Sequence, residues 1–313
     1  MRFSTTAPVA GLGLILAGPA SAQVVVDGAL DPDYGAALSV QRVGTQFGNN
    51  TDSTPELANG SELDAAYGIV ADGNLNLFFA GNLQTSFNKL EIFIDAIDGG
   101  QNTILNNNPD VDFDAINRMG FNDDELLGPV GPGLTFDTNF TADHYITVTG
   151  GNDPVEYFAN FATLPTAGEG VGEFLGTGGA GVTTIAGGNG INLGFDQSNV
   201  LGVGELGLPD DSDPATVATG VEVSIPLSVI GSPVGDIKVS AFINGLSHDF
   251  LSNQILGSLE AGTGELGADP GNLGEPRNVD FATLAGDQFF TVVNEAAGFI
   301  DGDYDGNGFV SQS

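Results

Sequence analysis

The sequence predicts an all-β protein, two antiparallel sheets packed as a jelly-roll-like sandwich with long loops rich in Gly, Asp and Asn. Three observations carry this. Apolar runs are short and lie between turn formers, and Gly alone supplies 48 of 313 residues. Within the runs, apolar positions tend to alternate rather than recur at helical spacing. No stretch repeats at a fixed period, which argues against a propeller or a β-helix.

The elements follow in order. "MRFSTTAPVAGLGLILAGPASAQ" has a cation at Arg2, a short apolar run and small residues at Ala20-Ser21-Ala22. That pattern predicts a secretory signal peptide over residues 1–22 and an exported β domain over 23–295. "ELDAAYGIVADGNLNLFFAGNL" reads as strands 64–71 and 75–82, joined at Asp72-Gly73-Asn74. "NKLEIFIDA" (88–96) puts Leu90, Ile92 and Ile94 on one face, and Glu91, Phe93 and Asp95 on the other. Further strands are expected at 144–150, 157–164, 190–196, 220–230, 236–245 and 288–294. Residues 113–119 and 246–251 read as short helical turns. The glycine-rich segment 176–190 reads as a long loop or an edge hairpin, and 260–276 as another long loop.

Composition narrows the function. The chain holds 6 Lys and Arg against 41 Asp and Glu, a net charge of −35. Nothing in such a chain neutralises phosphates, so nucleic acid is excluded as a partner, and anionic membrane surfaces are disfavoured. Only the leader approaches a membrane-spanning run, and it is too short, so no membrane insertion is expected. With no cysteine, an exported protein must be held by its core or by metal ions. Hydrophobic residues at 41%, including 21 Phe, support a packed core.

The ending "DGDYDGNGFVSQS" (301–313) has the ligand order of a calcium loop. Asp303, Asp305 and Asn307 fall at positions one, three and five, with Gly308 at the sharp turn. Phe309 offers a carbonyl and Ser311 a side-chain oxygen, and the usual bidentate acid would lie beyond residue 313. Calcium is the expected cofactor. In the body, Asp95 with Asp98, and Asp110 with Asp112, are the favoured calcium-binding pairs; a third acid cluster spans Asp210, Asp211 and Asp213. Solvated Asx turns are the alternative for each cluster.

No Gly-x-Ser-x-Gly elbow, Walker loop or His-Glu-x-x-His occurs, and His144 and His248 are the only histidines. Both are expected to be structural, and the protein is expected not to be an enzyme. Tyr67, Tyr145 and Tyr157 are the candidate stacking residues for a ligand, with half-buried strand positions as the alternative; Trp is absent.

Two resemblances add to this reading. "VVVDGALDPDYGAAL", "GNLNLFFAGNL" and "NKLEIFIDAIDGGQN" together resemble family 9 carbohydrate-binding modules and related DOMON-type β-sandwiches. Most of 24–293 resembles a group of secreted bacterial proteins of the same kind. Residues 299–313 resemble the first half of a type I dockerin repeat. These resemblances imply a secreted or cell-surface binding module. Its partners would be a polysaccharide or cell-surface glycan and, through the tail, a cohesin-like scaffold. A structural or adhesive envelope protein without sugar binding is the alternative, and a polysaccharide hydrolase a further one.

Overall fold

A computed structural model describes Met1 and residues 24–260 and 270–294. The signal peptide and the calcium-loop tail, with Asp303, Asp305, Asn307, Phe309 and Ser311, lie outside the described residues.

Thirteen strands are described, all in antiparallel pairs. The first sheet runs, in spatial order, β1 (Ser39–Val40), β2 (Glu62–Ala71), β3 (Asn74–Asn82), β10 (Gly220–Pro226), β9 (Asn192–Phe195) and β8 (Thr183–Ala186). The second runs β12 (Leu251–Leu256), β11 (Ile237–Asn244), β4 (Lys89–Asp95), β5 (His144–Gly151), β6 (Glu156–Thr163) and β7 (Gly172–Gly178). Strand β13 (Phe290–Val292) pairs with the first half of β11. One short helix, α1 (Ala115–Met119), falls inside the segment expected to turn.

The hairpin between β2 and β3 closes over Asp72 and Gly73, at φ of 50° and 79°. Two left-handed residues match the strands' twist, which is why an Asp-Gly pair sits there. The 176–190 segment is not an edge hairpin of its own: it ends β7 at the edge of the second sheet, crosses to the first sheet and forms β8, which pairs with β9. The turn expected over 246–251 occupies 246–247, and Leu251 already opens β12.

Alternation decides what each face buries. Leu90, Ile92 and Ile94 point between the sheets, with Leu77, Phe79, Ile146, Val223, Val239 and others in the main core. The outer face of the second sheet carries a further core. There Phe93 meets Phe136 and Tyr145 at centroid distances of 4.9 Å and Phe242 at 5.8 Å. The segment from 97 to 143 covers it, contributing Ile104, Ile116, Met119, Leu134 and Phe140. On the outer face of the first sheet, the chain near Tyr34 is clasped by buried Glu222. That carboxylate accepts from Tyr34 Oη at 2.8 Å and from the Asp27 and Gly28 amides at 2.9 and 3.2 Å.

The loops are pinned by asparagine amides. Asn102 Nδ2 donates to the carbonyls of Phe136, Asp137 and Phe140 at 2.8–3.1 Å. Asn122 Nδ2 does the same for Asp124, Gly128 and Pro129 at 2.9–3.1 Å. In a chain without cysteine, these three-way contacts tie loop segments together and satisfy buried carbonyls.

Candidate functional site, an aromatic groove over a buried ion network

The outer face of the second sheet is a grid whose rows cross the strands. One row is Lys89, Thr149, Phe158 and Thr177, and the next is Glu91, Thr147, Asn160 and Phe174. The third, Phe93, Tyr145, Ala162 and Gly172, lies under the covering segment. The cover therefore stops part-way, and Lys89, Thr149 and Phe158 of the first row with Asn160 and Phe174 of the second line an open groove of about 470 Å³. That volume falls within the range of small-ligand sites.

Four phenylalanines line the groove. Phe158 and Phe174 rise from β6 and β7, Phe87 precedes β4, and Phe113 comes from the cover. Phe113 is 89% exposed and Phe174 58% exposed. Large apolar side chains held this far into water at one place make this a candidate binding surface. The backbone is bent to present them. Phe87, Asp112, Phe113 and Asn152 line the groove with φ of 69°, 44°, 57° and 67°. These are four of the nine left-handed non-glycine residues described. Such conformations cost energy, and they concentrate where a site needs a particular presentation. Gly151 makes room for Phe87, because a Cβ there would run into the ring.

Polar groups sit between the rings. Asn160 is buried, and its side-chain amide has no hydrogen bond to any described residue. Lys89 and Asp112 form the floor as an ion pair at 2.9 Å, their side chains 4% and 7% exposed. Asp112 also stands 3.2 Å from His248 Nε2, and His248 Nδ1 meets Glu91 Oε1 at 2.6 Å. Glu91 accepts further from Tyr145 Oη at 2.6 Å and Asn244 Nδ2 at 3.3 Å.

Each charge has its opposite within reach, which is what allows four ionisable groups to be buried together. Burial alone favours a neutral His248 ring. The Glu91 carboxylate, with the hydrogen bonds to Asp112 and Glu91, outweighs it and raises the imidazolium to about 9. Burial likewise opposes ionisation of Asp112, but His248 and Lys89 hold its carboxyl below the usual range. Burial and the adjacent Glu91 push the Tyr145 hydroxyl far up. Lys89 and His248⁺ balance Asp112 and Glu91, so the floor carries no net charge.

The structure separates the residues singled out from the sequence. Tyr67, Tyr145 and Tyr157 are 3%, 0% and 0% exposed. Their hydroxyls go to Ala215 O, Glu91 and Pro55 O, and their rings pack in the cores. Asp98 and Asp110 are exposed. Asp95 accepts from Lys238 at 3.4 Å and from the Thr141 amide at 3.2 Å. It closes β4, whereas Asp112 binds Lys89 at the strand's start, ~20 Å away at strand rise. His144 pairs with Asp143, which also takes the Ala96 and Ile97 amides.

A second acidic cluster lies on the first sheet, at a bulge in β2. Buried Glu62 and Asp64 share the Asn199 amide, at 3.0 and 3.2 Å, with no cation in reach among the described residues. Burial, reinforced for Glu62 by the charge of Asp64, holds both carboxyls well above their ordinary range. No group of three or more His, Cys, Asp or Glu is placed to hold a metal among the described residues. No helix among them is long and apolar enough to cross a membrane.

Among the described residues, the groove has one carboxylate in its lining, that of Asp112, and no histidine. What it presents is apolar ring faces, an amide without a protein partner, an ammonium and a hydroxyl. Comparison with family models, curated proteins and solved structures gives no match for this chain.

Proposed function

We propose that the protein is a secreted, non-catalytic carbohydrate-binding module, with the groove on the second sheet as its sugar site. The observation that carries this reading is the pairing of exposed Phe113 and Phe174 with buried, unpartnered Asn160. Sugars have apolar C–H faces and polar hydroxyl edges. Aromatic walls suit the first and fixed amide and ammonium groups the second. The neutral floor favours a ligand whose ring faces are uncharged. A two-carboxylate glycosidase needs a second acid across the site, and Asp112 faces none there.

The test is affinity electrophoresis of the protein through gels containing soluble polysaccharides of different backbone linkage. Retardation on at least one is expected. Uniform mobility on all of them would favour the structural or adhesive alternative. Calcium is proposed for the tail on its ligand order, from Asp303 to Ser311. Asp303→Ala should abolish calcium binding there, measured by calorimetry, without moving the unfolding midpoint of the sandwich.

A further inference from the structure

Asp112 and Phe113 line the groove, while Asp114, next in the chain, lines a separate surface pocket of about 320 Å³. Two guanidinium groups, Arg118 and Arg277, meet in that pocket. Their situation differs from that of the other described Lys and Arg side chains. Arg42 reaches Glu260 at 3.1 Å, Lys89 reaches Asp112 at 2.9 Å and Lys238 reaches Asp95 at 3.4 Å. The side chain of Arg118 has no hydrogen bond or ion pair among the described residues, and Arg277 Nη1 comes only within 3.8 Å of Glu275.

In a chain with 41 acids, electrostatics alone would bring every cation to a carboxylate. Here Arg118 and Arg277 line one pocket together with Asp114, while Glu275 and Asp249 also act on Arg277. Arg277 is 5% exposed. Burial lowers its basicity; Glu275 opposes this, Arg118 adds to it, and Asp249 and Asp114 oppose it further. Part of Arg277 has a structural role. Its Nε donates to Gly120 O at 2.9 Å and its Nη2 to Asn117 O at 3.1 Å, closing the end of α1. A guanidinium has five N–H donors, so these two bonds leave others over. Phe121, 41% exposed, forms an apolar wall beside them.

We propose that Arg118 and Arg277 form a binding site for the carboxylate of a sugar acid, a uronate, with Phe121 against its ring. A planar fork of donors matches a carboxylate in two-point geometry, and Arg118 brings a guanidinium that no described carboxylate pairs. Asp114 lies at the rim and opposes the anion. This site stands independently of the groove and holds whether or not the groove takes a sugar.

The test is a titration of the full chain with sodium glucuronate at constant ionic strength, following the arginine Nε–Hε signals by NMR. Neutral glucose is the control. Saturable shifts at Arg118 and Arg277 with glucuronate, and none with glucose, are expected. Arg118→Gln, at an exposed position, should weaken binding by about tenfold or more, and Asp114→Asn should tighten it. The proposal is overturned by the absence of saturable shifts or by an equal response to glucose. It is overturned equally by unchanged affinity in Arg118→Gln with the rest of the spectrum intact.

Discussion

The midpoint of thermal unfolding should fall by about 5–10 °C between pH 5.5 and pH 9.5, on the scale of a few kcal/mol. The direction follows from three buried groups. His248 holds its proton more tightly folded than unfolded, with a folded value of about 9. Its stabilisation is therefore complete below its ordinary value of about 6.5 and is lost as the pH rises through the folded one. Glu62 and Asp64 also hold their protons above the ordinary carboxylate range, so they act in the same direction. Asp112 acts oppositely, since its lowered value makes its contribution disappear only in acid, below about pH 4. The stability plateau should thus lie on the acidic side of neutrality. Glu62→Gln removes one of the alkaline losses and should flatten the upper part of the curve. A midpoint that stayed level or rose from pH 5.5 to 9.5 would mean that these groups are not buried as described.

Glu91→Ala should cost about 3–5 kcal/mol, the usual penalty for removing one member of a buried ion pair. At this chain length that corresponds to a drop of roughly 10 °C. The loss comes less from the missing contacts than from what stays behind. His248, Tyr145 and Asn244 all direct donors at Glu91 from buried positions. Without the carboxylate, the imidazolium is an uncompensated charge and the Tyr145 hydroxyl has no acceptor. Glu91→Gln keeps the shape and one acceptor, so its loss should be smaller. Its signature should be a His248 pKa, followed by NMR, that falls well below that of the parent. Urea unfolding at pH 6 checks both variants. A Glu91→Ala protein within 1 kcal/mol of the parent, about the scale of a single ordinary hydrogen bond, would contradict a buried network at this point.

Much of the sandwich was legible because its central strands alternate cleanly. "NKLEIFIDA" assigned both faces of β4, and the structure adds only that the face with Glu91 is buried as well. Where polar side chains point into the protein, that signal fails. Every residue of β12, "LSNQIL", is buried, including Ser252, Asn253 and Gln254. Gln254 accepts from the Leu63 amide at 3.1 Å, and Asn253 donates to Gly44 O at 2.8 Å. A strand that uses polar side chains to bind its surroundings does not look like a strand. β7 was hidden differently, by glycines that leave room for neighbours. A Cβ at Gly172 would press on Val111, and one at Gly178 on Thr183.

The groove was the least legible part. Phe87, Phe113, Phe158 and Phe174 are far apart in sequence, and only strand register and the left-handed run 112–114 bring them together. The tyrosines looked better suited to stacking, but a hydroxyl that finds a buried acceptor draws its ring inside, as Tyr145 does with Glu91. His248 gave no signal of its role either, since its partners, Glu91 and Asp112, lie more than a hundred residues away.

The most direct measurement compares the parent with a Phe113→Ala/Phe174→Ala double variant by affinity electrophoresis on the polysaccharide that retards the parent most. Both rings are largely exposed, so the variant should unfold at the same temperature as the parent. The groove account predicts a loss of affinity of about fivefold to a hundredfold, from two stacking contacts of about 0.5–1.5 kcal/mol each. Equal retardation of the two proteins, with equal unfolding midpoints, would contradict it and place glycan recognition elsewhere on the molecule.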